Sequence, residues 1–183
     1  MRGALFIVLS ISVAIQATSC FADKTLTTSS GTNETEIRST IQAEYDNSNV
    51  AGLKLDVQGM LAPCAPECKF TFADGMRINL ATRSADFVVS FQVVKPKSMS
   101  SSKKIQSLAI HGQTEVASVN EHQVNVLPNF VSGGTFTQTK DYVFKGTWKL
   151  INGSWKKVNS VTLSIKSYRD GKPNSDDTLD SHW

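Results

Sequence analysis

The hydrophobic period of this chain shifts from near four to two at Phe70, returns to four for one further helix, and stays at two from Ile105 onward. Few folds accommodate that order. Ile37, Ile41 and Tyr45 recur at four-residue spacing, as on one face of an amphipathic helix. Asn33 followed by Glu36 fits a capping box at its start, and the helix is predicted to end near Asn47–Asn49. Leu53, Val57, Met60 and Leu61 define a second, shorter helix that Pro63 stops. Phe70 and Phe72 then alternate with Lys69 and Thr71, Asp74-Gly75 marks a hairpin turn, and Met76, Ile78 and Leu80 form the return arm. A third helix is read with Ser84 as its cap and Phe87, Val88, Phe91 and Val94 on one side, ending at Pro96. Lys95–Lys104 reads as a polar, Ser-rich connection.

Strands are predicted over Ile105–Ile110, Thr114–Leu127, Thr135–Ile151 and Trp155–Tyr168. The breaks between them fall at His111-Gly112-Gln113, at the loop from Pro128 to Gly134, and at Asn152-Gly153, the strongest hairpin signal in the chain. Helices segregated from a run of long strands make an α+β domain, with the helices on one face of a curved antiparallel sheet.

The N-terminus carries a different pattern. Arg2 precedes an apolar run from Ala4 to Ile15, and small and polar residues follow up to Ala22. Charge, apolar stretch and small-residue exit are the order of a secretory signal peptide, and the run is too short to span a bilayer. Residues 1–22 are therefore expected to be removed on export to a periplasm or the medium. Ala17-Thr18-Ser19-Cys20 also resembles a bacterial lipoprotein box, which would tether the protein to a membrane through Cys20. Residues 23–32 read as a flexible leader, 33–169 as the folded domain, and 170–183 as a disordered acidic tail.

Composition narrows the function classes. The formal charge is +3, and the basic residues are scattered, so no stripe for nucleic acid is present. Cys64 and Cys68 are expected to pair as a disulfide in an oxidising compartment, closing a small loop worth about 2 kcal/mol. Three histidines at unsuitable spacings give no metal site, and export argues against nucleotide cofactors and redox roles, so no cofactor is expected.

Particular residues carry a resemblance. Glu36-Ile37-Arg38 leading to Tyr45, the short second helix before Phe70-Thr71-Phe72, the helix after the hairpin, and the ending Thr147-Trp148 to Gly153-Ser154-Trp155-Lys156-Lys157-Val158 resemble the nuclear transport factor 2-like superfamily, in its SnoaL-like branch. The resemblance covers residues 34–168. It implies a cone-shaped sheet wrapped around three helices, a pocket at the wide end, and dimerisation through the exposed sheet. Its members include isomerases, dehydratases, cyclases, ligand-binding modules and non-catalytic subunits.

Two functional readings stay open. As a binding or accessory module, the domain would hold a small apolar or amphipathic ligand against Tyr45, Phe72, Phe91, Tyr142, Phe144 and Trp148, because small-molecule sites are mostly apolar and aromatic. As an isomerase, dehydratase or cyclase it would move protons with Tyr45 and either His122 or Asp74. Each has a structural alternative: Tyr45 as a core residue, Asp74 as a turn residue, and His122 on the outer face of its strand. Glu121 has the opposite parity to His122, so both cannot line one face without a bulge.

Overall fold

A computed structural model describes residues 30–174. The expected signal peptide, most of the leader, Cys20 and the end of the acidic tail lie outside the described residues.

Helix α1 spans Ser30–Leu53. Its buried stripe runs Ile37, Ile41, Tyr45, Ser48 and Ala51, one residue per turn on a single face. That stripe carries the helix past the expected stop at 47–49. Ser48 is tied down by donating its hydroxyl to the Met60 carbonyl at 2.9 Å, so a polar residue holds a core position. Leu55, at a φ of 55°, ends the segment, and Asp56 caps α2 (Val57–Leu61) by accepting from the Gly59 amide. Gly59 is required for the close approach of the two helices: a Cβ there would lie 2.7 Å from the Ala51 Cβ.

Strand β1 (Cys64–Thr71) pairs with β2 (Arg77–Asn79) across the Asp74-Gly75 turn. Helix α3 spans Leu80–Val93. Asn79, not Ser84, is its cap, accepting from the Thr82 amide at 2.8 Å. Leu80, expected on the hairpin's return arm, is thus the first residue of the helix.

The remaining strands are β3 (Ser98–His111), β4 (Thr114–Pro128), β5 (Thr135–Ile151), β6 (Ser154–Arg169) and the short β7 (Lys172–Pro173). Residues 98–104, read as a connection, are strand. Their Ser and Lys content reflects an edge strand whose inward positions meet a polar cavity wall. Gln42 of α1 braces that edge, donating to the Lys103 carbonyl at 2.7 Å and accepting from the Ile105 amide at 3.2 Å. The start of the expected disordered tail is also structured, because β7 pairs with β6.

The strand order is β2-β1-β6-β5-β4-β3, antiparallel except for the parallel β1–β6 pair. Register shifts occur between Cys64 and Lys69, Ile105 and Ser107, Val143 and Phe144, and Thr147 and Trp148. Bulges of this kind bend a sheet. Here the curved sheet wraps the helices, as the resemblance implies. The core is Ile37, Ile41 and Tyr45 of α1 packed on Ala117, Val119, Phe144 and Trp148 of β4 and β5.

Candidate functional site: a cationic, aromatic-walled cavity

Between the helices and the inward faces of the sheet lies a cavity of about 570 Å³. That volume is in the range of small-molecule sites. Its apolar wall includes Met60, Leu61, Phe70, Phe72, Phe87, Phe91, Leu127, Phe136 and Phe144. The polar wall comes largely from β3 and β4: Ser101, Lys103, Glu121, Gln123 and Asn125. These β4 residues share strand parity with Ala117 and Val119, so one inward face changes from core to cavity wall along its length.

Helix α3 supplies a cation by simple periodicity. Arg83, Phe87 and Phe91 stand four residues apart and turn one face to the cavity. The Phe87 and Phe91 rings stack at 6.0 Å, and the Arg83 guanidinium carbon lies 4.3 Å from the Phe87 centroid and 5.3 Å from that of Phe72. Arg83 Nη1 is out of solvent and has no hydrogen-bond partner among the described residues. Burial lowers the Arg83 pKa, partly offset by Tyr142, Asp86 and Glu121.

Strand β6 supplies a second cation. The Lys157 ammonium stands 5.8 Å from the Tyr45 ring centroid and 5.7 Å from that of Phe70. Burial works against its charge, but Cys64, Tyr45, Cys68 and Glu121 together outweigh it and hold its pKa above the usual lysine value. Glu121, the one lining carboxylate among the described residues, is already engaged. It accepts from Ser101 Oγ at 2.6 Å and pairs with Lys103 Nζ at 3.2 Å, and Lys103 also donates to Asn49 of α1 at 2.7 Å.

Of the residues proposed from sequence, Phe72, Phe91, Tyr142 and Phe144 line this cavity. Tyr45 and Trp148 do not. They form the core beneath it, where Trp148 Nε1 donates to the Tyr45 hydroxyl at 3.3 Å. Gly146 makes room for that pair, since a Cβ there would lie 2.6 Å from the Tyr45 hydroxyl. The three proton-transfer candidates are not gathered at the cavity. Tyr45 is in the core, Asp74 is exposed in its turn and accepts from the Met76 amide at 2.9 Å, and His122 is exposed and paired with Asp141 at 2.6 Å. Strand parity decides the last case: His122 points out of the sheet while Glu121 and Gln123 point in.

The residues missed from sequence are the polar ones: Arg83, Lys103, Glu121 and Lys157. A signal existed for three of them. Arg83 shares its helical face with Phe87 and Phe91. Glu121 continues the inward parity of Val119, and Lys103 lies two residues before Ile105.

Cys64 and Cys68, expected as a disulfide, are both buried free thiols. A bulge brings them together. From Cys64 to Lys69 the β1 chain is matched only by Lys157 to Asn159 on β6, so residues 65–68 leave the ladder. Each thiol is the other's main perturbing neighbour: Cys68, opposed by burial and assisted by Lys157 and Lys156, lowers the Cys64 pKa to about 6, and Cys64 raises that of Cys68. No three His, Cys, Asp or Glu side chains cluster as a metal would need among the described residues.

The sequence matches no family model and no curated protein. Solved structures do share the fold. A hexachlorocyclohexane dehydrochlorinase (LinA) superposes with a TM-score of 0.59 at 12% identity, over 79% of this chain and 93% of that one. A protein assigned as a scytalone dehydratase from Novosphingobium aromaticivorans gives 0.56 at 13% identity, over 76% and 91%. An NTF2-like protein from Cytophaga hutchinsonii gives 0.50 at 19% identity, over 69% and 97%. The fold is the nuclear transport factor 2-like fold.

Proposed function

We propose that this nuclear transport factor 2-like domain is an exported binding module that holds a small amphipathic molecule in its interior cavity. The observation that carries the reading is the cavity itself: about 570 Å³, aromatic on one wall and polar on the other. An apolar wall favours an apolar ligand body, and a few placed polar groups orient one end of it. The fold's dehydrochlorinase and dehydratase neighbours make an enzyme the competing reading. Binding is favoured because Tyr45, His122 and Asp74 do not converge on the cavity, and Glu121 is neutralised by Lys103. Export is proposed from the apolar run before Cys20, and homodimerisation through the outer face of the sheet.

Native mass spectrometry of protein purified from its own host tests these points together. Adduct mass reveals a retained ligand, the N-terminal mass shows whether cleavage occurs near Ala22 or at a lipidated Cys20, and the assembly mass reads the dimer. The binding reading fails if the protein carries no ligand and takes up no neutral hydrophobic dye.

A further inference from the structure

We infer that the cavity's ligand is a carboxylate with an apolar body, and that its headgroup seats at Arg83 and Lys157. The inference rests on reading the cavity as a ligand site, and adds the charge of the ligand.

The first argument is the balance of charge. Among the described residues, Arg83, Lys103, Lys157 and Arg169 line the cavity against the single carboxylate of Glu121. Lys103 is consumed by Glu121 at 3.2 Å. Arg169 is exposed, with its guanidinium carbon 4.0 Å from the Phe136 ring centroid. Neither Arg83 nor Lys157 forms an ion pair with a carboxylate among the described residues; Lys157 has the Cys64 sulfur as a neighbour, and Arg83 has no anionic partner within ion-pair distance among them.

The second argument is the state of Arg83. A guanidinium has five donors and no acceptor, and a buried donor left unpaired costs free energy comparable to a lost hydrogen bond. Arg83 Nη1 is such a donor. Phe72 and Phe87 satisfy the charge from the ring faces but cannot accept in the plane of the fork. A carboxylate oxygen in the cavity would.

The third argument is placement. Lys157 stands by Phe70 near the end of β1, and Arg83 by Phe72, the residue just past that end. Their two rings are neighbours along the chain and both cations line the same cavity, so we place the headgroup between them. Beyond it, Phe91, Phe136 and Leu127 offer an apolar wall for the rest of the molecule. A carboxylate fits better than a phosphate dianion, which sheds more hydration on entering a wall of aromatic rings.

The test uses the full-length protein and displacement of the neutral dye N-phenyl-1-naphthylamine by decanoate, decanol and decyltrimethylammonium. These probes share a chain and differ in head charge. The expected result is that decanoate binds about tenfold tighter than decanol, the size of one charge-assisted contact. Arg83→Met and Lys157→Met should each remove about tenfold of the decanoate affinity and change decanol by about twofold or less. Should Arg83→Met fail to fold, Arg83→Gln, which also removes the charge, and the salt dependence of wild-type binding provide the same contrast, with decanoate weakened by salt and decanol not. Equal binding of decanoate and decanol, or preference for the cation, overturns the anion assignment and leaves the cavity reading standing. If the dye does not bind at all, the cavity reading fails and the inference fails with it.

Discussion

Glu115 stands opposite Trp148 across β4 and β5, fully buried, with neither carboxyl oxygen hydrogen-bonded among the described residues. Burial, with a smaller contribution from Glu34, raises its pKa from 4.5 to about 7. A carboxyl with a raised folded pKa holds its proton more tightly folded than unfolded. Its contribution to stability is complete below 4.5 and is lost as pH rises through about 7. Thermal melts of the wild type and Glu115→Gln should therefore diverge across that window, the wild type losing ground as pH rises. Parallel curves would remove Glu115 as the cause. The thiols make a second residue-scale prediction. Cys64 and Cys68 flank one bulge, and the neighbouring Cys68 thiol holds the Cys64 pKa at about 6. Added oxidised glutathione should close them: the Cys64 thiolate attacks the glutathione disulfide, the Cys68 thiol loses its proton and displaces the second glutathione, and two glutathione thiols leave. Titration of free thiols under denaturing conditions reads the loss. Retention of both thiols at excess oxidant would show that the bulge geometry forbids the bond.

At the scale of elements, α3 connects local sequence to the site. Its cap, Asn79, fixes where the helix starts, and the start fixes which residues face the cavity. With Leu80 as first residue, Arg83, Phe87 and Phe91 point inward. Asn79→Ala should cost about 1 kcal/mol in urea denaturation. Asn79→Asp, which keeps an acceptor at the cap, should restore most of it, and equal losses in the two variants would rule the cap out. The element boundaries show why some of the structure was readable and some was not. Thr135–Ile151 was predicted to the residue, because β5 alternates aromatic and polar residues between two glycine-marked turns. The N-terminal end of β3 is not legible in the sequence, because Ser98–Lys104 has no apolar alternation to reveal a strand. α1 was cut short because Asn47 and Asn49 read as a stop. Asn49 is instead an acceptor for Lys103, reached only when the sheet has folded around the helix.

At the scale of the whole molecule, the order of helices and strands was legible because each element carries its own period. That order, with the final hairpin residues, was enough to expect the cone-like α+β fold that the structure has. What sequence could not supply was the closure of the sheet. β1 lies beside β6 in parallel, and that pairing joins residues about two thirds of the domain apart in sequence. The pairing sets Lys157 beside Cys64 and Phe70, and the curvature places Arg83 across from Glu121 in one cavity. It also sends Tyr45 and Trp148 into the core and His122 outward, so the aromatic candidates were partly right and the proton-transfer candidates were not gathered. Periodicity is a local property, fixed by backbone geometry over a few residues, and the sequence by itself determines it. The charge of the cavity is a long-range property. It arises only when side chains from α3, β3, β4 and β6 are brought to one place, and tertiary structure alone decides that.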